Sequence, residues 1–214
     1  MLIVVIWLGA EAVKAPIAMR APSTLAIRVA PHSPEVLARA AEFEWSEGRP
    51  DSARSLAEDA LAKAPFNVSA LRVWGLAEAG DGDSSSADNV LTLAGNWSLR
   101  DTPTHAWLVQ NRLRKGNYAS AFAHADTLIR RRPSVYPEVF NLYSAAITAD
   151  SRALSALTPL LEVGPPWRQA YFASLTSRED GDLALAQLAL AMQKTSRPFT
   201  NEELAIAYLH WLRE

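Results

Sequence analysis

Four histidines, His32, His105, His124 and His210, are the side chains of this chain best suited to hold a metal or move a proton. They are scattered, but the apolar pattern places His105 and His124 on opposite helices of one hairpin, where their rings can approach. Two imidazoles fall short of the three protein ligands of a catalytic zinc site, so surface or half-buried histidines are the favoured reading over a metal pair. The stretch Asp81-Gly82-Asp83-Ser84-Ser85 has the acidic spacing of a calcium loop. The closing bidentate glutamate is missing, because Thr92 stands there, and the stretch reads as a hairpin turn. Asn67-Val68-Ser69 and Asn96-Trp97-Ser98 fit the glycosylation triplet, which is frequent by chance. No HExxH, GxSxG, phosphate-loop or GxGxxG motif occurs. Cysteine is absent, which excludes disulfides, thiolate metal sites and a cysteine nucleophile. No nucleophile, base or metal set converges, so the expectation is a protein that is not an enzyme and uses no cofactor or metal.

The elements that carry these side chains are set by a ruler. Pro31 and Pro65 are one 34-residue step apart, and Pro133 lies two steps further on. Gly48, Gly82 and Gly116 share the step, as do Ala53, Ala87 and Ala121. Small residues and prolines at fixed phases of a 34-residue period mark stacked helical hairpins. Each hairpin leaves an apolar face that only the next can bury, and helices cross closely where both carry Ala or Gly. The units read as a half-repeat 20–33, repeats 34–67, 68–101, 102–135, a shortened 136–166 and 167–200, and a terminal helix 201–214. Ser33 and Pro34 start the first full unit as cap and first-turn residue. Gly80 to Ser86 reads as a long polar turn, Gly181-Asp182 as the turn of the last full unit, and Pro159 as a break or kink in its helix. The terminal helix is too apolar to present a polar outer face, so it either docks back or continues into a further segment, and the second is favoured.

With 214 residues, 49% of them hydrophobic and 21% charged, the chain has material for a continuous core. A net charge of −2 supplies no field toward nucleic acid, and Arg130-Arg131-Arg132 complements a helix C-terminus. The apolar run Leu2–Leu8 in residues 1–19 is shorter than the ~20 residues of a spanning helix. It reads as a signal segment with Ala10-Glu11-Ala12 as its exit, as the remnant of a membrane anchor, or as a buried cap helix.

On Leu37/Ala40/Ala41, Leu71/Trp74/Gly75, Ala53/Ala60/Pro65 and Ala121/Leu128/Pro133, residues 20–214 resemble the tetratricopeptide repeat family. The resemblance implies an all-α, right-handed α-α superhelix of about five hairpins with flanking helices. The aromatic phases depart from the family's pattern, with Glu44, Glu78 and Arg112 in the first helices and Ala57 and Ala125 in the second. The family lines a concave groove with its first helices. Its groove phases fall here on Trp45, Arg72, Trp107, Gln110, Arg114, Asn141, Ser144, Tyr171, Phe172 and Arg178. Aromatics with amides and guanidiniums suit a protein or peptide partner, and also a sugar chain. Trp107, Tyr171 and Phe172 equally suit an inter-repeat core. Ala38 and Glu42 stand where the family's carboxylate clamp would begin. The irregular repeats and Pro165-Pro166-Trp167 further resemble bacterial repeat proteins that accompany envelope polysaccharide synthesis and export. The expectation is a partner-binding scaffold at, or exported across, a bacterial inner membrane. The alternatives are a glycan-binding module, a helical domain of a larger complex, and a cytoplasmic scaffold.

Overall fold

The computed structural model describes residues 23–178 and 181–212, and the Leu2–Leu8 segment lies outside them. The described residues are helical, with no strand among them. The order is α1 (Ser23–Val29), α2 (Pro34–Ser46), α3 (Pro50–Leu61), α4 (Val68–Gly80), α5 (Ser84–Trp97), α6 (Thr102–Arg114) and α7 (Tyr118–Arg131). A 3-10 turn, Pro133–Val135, then leads into α8 (Tyr136–Ala149), followed by α9 (Ser151–Glu162), α10 (Arg168–Leu175), α11 (Gly181–Met192) and α12 (Asn201–Trp211). The chain divides into two compact units after Thr104, within α6.

Capping side chains start six of the twelve described helices. Asn67 accepts from the Ala70 amide at 3.1 Å, Asn117 from Ser120 at 3.2 Å and Asp150 from Arg152 at 2.8 Å. Ser33 accepts from Val36 at 3.5 Å, with Pro34 in the first turn as expected. Gly48, Gly82 and Gly116 turn their hairpins at φ +73°, +89° and +67°, a left-handed conformation that glycine adopts without a Cβ penalty.

In the first unit α2 pairs with α3 and α4 with α5, while α4 also packs on α2 and α3. Ala53, Ala57 and Ala60 of α3 are buried under Leu37, Ala38 and Ala41 of α2. The same role falls to Ala87, Leu91 and Ala94 of α5. Ala26 of α1 and Ala30 just after it close on Val36. In the second unit α8 pairs with α9 and α10 with α11. First helices stack on first helices, α8 to α10 to α12, and second on second, α7 to α9 to α11. This is an all-α helical repeat, as the 34-residue ruler requires.

Three local expectations are corrected. The polar turn after α4 is short, because Asp83 accepts from the Ser85 and Ser86 amides at 3.1 and 2.9 Å and draws the serines into α5. Gly181 begins α11 rather than forming a turn, and it is small because a Cβ there would run into the Leu175 carbonyl. Pro159 lies inside α9 without ending it. It sits in the last turn, where its missing N–H removes a single helical bond.

Candidate binding surfaces

The buried heart of the second unit is aromatic. Tyr171 and Phe172 of α10 are fully buried there, which corrects their placement on a groove. Tyr171 packs on Phe140 of α8 with ring centroids 5.2 Å apart, and Phe172 on Phe199 at 4.4 Å. Burial pushes the Tyr171 and Tyr143 phenols up. Ser144 is also buried, its hydroxyl 3.4 Å from that of Tyr171. Buried Val139, Phe140 and Tyr143 of α8 recur 32 residues on as Tyr171, Phe172 and Leu175, so these positions carry the core phase of α10 and not its open face. Trp167 shares this burial, and its indole N–H donates to Asp126 Oδ1 at 2.7 Å. The Pro165-Pro166-Trp167 motif therefore anchors an inter-repeat core.

The other predicted contact residues stay at the surface to different degrees. Gln110 and Arg114 are exposed one turn apart on α6, and Trp107 beside them is half-buried. Asn141 of α8 is exposed and accepts a hydrogen bond from the Arg178 guanidinium, which ties α8 to the segment after α10. In the first unit Trp45 is half-buried against the α2–α3 core, over a cavity of about 300 Å³ formed with Gly48, Pro50, Gly80 and Asp81. Arg72 of α4 pairs with Glu42 of α2 and with Asp101, which in turn accepts from the Thr104 hydroxyl. It joins three successive structural levels, and its charge is already matched.

Two features escaped the reading of the sequence. A cavity of about 380 Å³ opens on the first-helix face of the first unit, lined by Glu35, Ala38, Arg39, Glu42, Asn67 and Ser69. It carries both Arg39 and Glu42, the latter already paired with Arg72, so it is polar and of mixed charge. Phe66 and Trp97 stack at 4.4 Å while both stay more than half exposed. Neither feature has a sequence signature, because each is assembled from two turns of the repeat.

The reading of the histidines as surface or half-buried is corrected for His105. His105 and His124 do meet, Nδ1 to Nδ1 at 3.0 Å, with His105 buried on α6. No group of three metal-binding side chains occurs among the described residues. Asp81 is engaged by Arg54, and Asp83 by the α5 amides, so the calcium-like acids are committed to structure. No described helix is long and apolar enough to cross a membrane. No protein-family model matches the chain, and the curated proteins include nothing similar to it.

Proposed function

We propose that this chain is a non-enzymatic scaffold of the tetratricopeptide type that binds a protein or peptide partner on its first-helix faces. The observation that carries the reading is the set of exposed amide and guanidinium groups on those helices: Gln110 and Arg114 one turn apart on α6, and Asn141 on α8. Such groups offer the donors and acceptors that an extended backbone needs. The glycan alternative loses its strongest support, since fully buried Tyr171 and Phe172 present no face to a sugar ring. The setting we propose is a bacterial envelope assembly such as polysaccharide synthesis or export, on the resemblance of the repeats and on the Leu2–Leu8 segment.

The test is affinity capture with the full chain, compared with Gln110→Ala/Arg114→Ala and with Arg131→Ala on α7 as control. A partner lost from the first variant and kept by the control, with unchanged circular dichroism, supports the reading. Equal capture by all three refutes it. Cell fractionation of the tagged chain tests the setting, and a soluble cytoplasmic product with intact mass removes the envelope proposal.

A further inference from the structure

α12 repeats the phases of a hairpin's first helix without its cover. Leu37, Ala40 and Ala41 of α2 recur in α12 as Leu204, Ala207 and Tyr208. In α2 all three are buried, and α3 lies against the helix. In α12 Ala207 is buried, while Leu204 is 50% and Tyr208 62% exposed. The inner side of α12 is well made: Glu203 accepts from Arg168 Nε and Nη2, both at 2.8 Å, and caps its own helix through Thr200. The outer side is an open apolar face that continues through Leu209, Trp211 and Leu212, with a groove of about 560 Å³ toward Ala189, Gln193 and Phe199.

We propose that this face binds the same face of a second copy of the chain, with the two α12 helices antiparallel across a two-fold axis. Area is the first argument. Leu204, Tyr208, Leu209, Trp211 and Leu212 are 46–63% exposed. At roughly 200 Å² for a large side chain, they leave on the order of 550 Å² of open surface. That is at the upper end of the largest patch on a typical monomer. Doubled, it reaches about 1,100 Å², above the ~1,000 Å² that a specific protein interface needs.

Composition is the second argument. The face is free of charge and rich in Tyr, Trp and Leu, as interface centres are. A lipid surface would call for Lys and Arg flanking the apolar face of α12, and the exposed polar residues of that helix are Asn201 and Glu202.

Geometry is the third. Each hairpin covers its first helix with an antiparallel neighbour, and Ala205 on the open face lets a second helix approach closely. A two-fold contact supplies that neighbour to both copies at once.

The test is the mass of the full chain by sedimentation velocity and light scattering. The expected mass is twice 23.4 kDa at concentrations of tens of µM, falling by half in Leu204→Glu/Tyr208→Glu with unchanged circular dichroism. Because the chain has no cysteine, Leu209→Cys reports proximity directly. Oxidation should trap it as a disulfide dimer, and Leu99→Cys, exposed in the first unit, should lag well behind. The proposal is overturned by a monomer at ~100 µM, above the µM constants of weak interfaces of this size. A dimer indifferent to the glutamate pair, or equal trapping at both cysteines, overturns it as well.

Discussion

Gly75→Ala decides whether close helix crossing, rather than helix propensity, sets the residue at this phase of the repeat. Gly75 lies inside α4, where alanine would gain about 1 kcal/mol of helix propensity. A Cβ there, however, would stand 2.6 Å from Leu91 Cγ, 2.9 Å from Leu91 Cδ2 and 3.3 Å from Val90 Cγ1. Leu91 is fully buried, so it yields only by moving α5 or leaving its rotamer. Overpacking of this kind costs about 1–3 kcal/mol. Set against the propensity gain of about 1 kcal/mol, the net effect is a loss of up to about 2 kcal/mol. At a urea slope of about 2 kcal/mol/M, the midpoint falls by up to about 1 M. The assay is urea unfolding followed by far-ultraviolet circular dichroism. Leu91→Ala alone costs about 2–5 kcal/mol through its cavity. Adding Gly75→Ala to that variant should then stabilise it, because the obstructing side chain is gone and the propensity gain remains. A Gly75→Ala chain more stable than the parent, or a second substitution that destabilises in both backgrounds, would refute the crossing argument.

Further outcomes follow from other contacts. Asn111 is buried and its Nδ2 has no hydrogen-bond partner among the described residues, so Asn111→Leu should raise the thermal midpoint, by the equivalent of about 1 kcal/mol. Arg168→Ala strands the Glu203 carboxylate in a buried site and should cost about 3–5 kcal/mol in thermal unfolding, far more than Arg131→Ala at the surface. Asp150 is held down to about 2 by the Arg152 side chain, then by the Arg152 amide, with the Tyr118 hydroxyl adding to them. Its contribution to stability is present above the unfolded carboxylate range near 3.8 and is lost as pH falls from there through about 2. Asp150→Asn should therefore flatten the acid limb of the unfolding curve between pH 4 and 2, and an unchanged limb would remove Asp150 from it.

What could be read from the sequence was what depends on neighbours along the chain. Gly48, Gly82 and Gly116 announced their turns because a left-handed residue is a local demand. Ala53, Ala87 and Ala121 announced the helix crossings because each recurs at one phase. Tyr171 and Phe172 were misplaced because the buried phase of α10 follows that of α8 by 32 residues, and a count along the chain does not fix that register across a shortened repeat. Arg72 was placed on the groove without its partners, since Glu42 and Asp101 lie about one repeat to either side, a distance at which partner choice is set by stacking. The open face of α12 was legible as excess apolar character, but that Glu203 and Arg168 fix which side faces inward was not.

The prolines that begin or end helices have a chemical corollary. Arg49-Pro50, Arg132-Pro133 and Arg197-Pro198 all lie in connections between helices, the exposed places where proteases nick folded chains. Proline's tertiary amide carries no N–H and its ring crowds the preceding carbonyl, so trypsin-like enzymes hydrolyse such bonds very slowly. Limited tryptic cleavage of the connections then falls instead to sites such as Lys63, Arg100, Lys115 and Lys194, each exposed and followed by a residue other than proline. The order in which those bonds are cut would report, connection by connection, which hairpins open first.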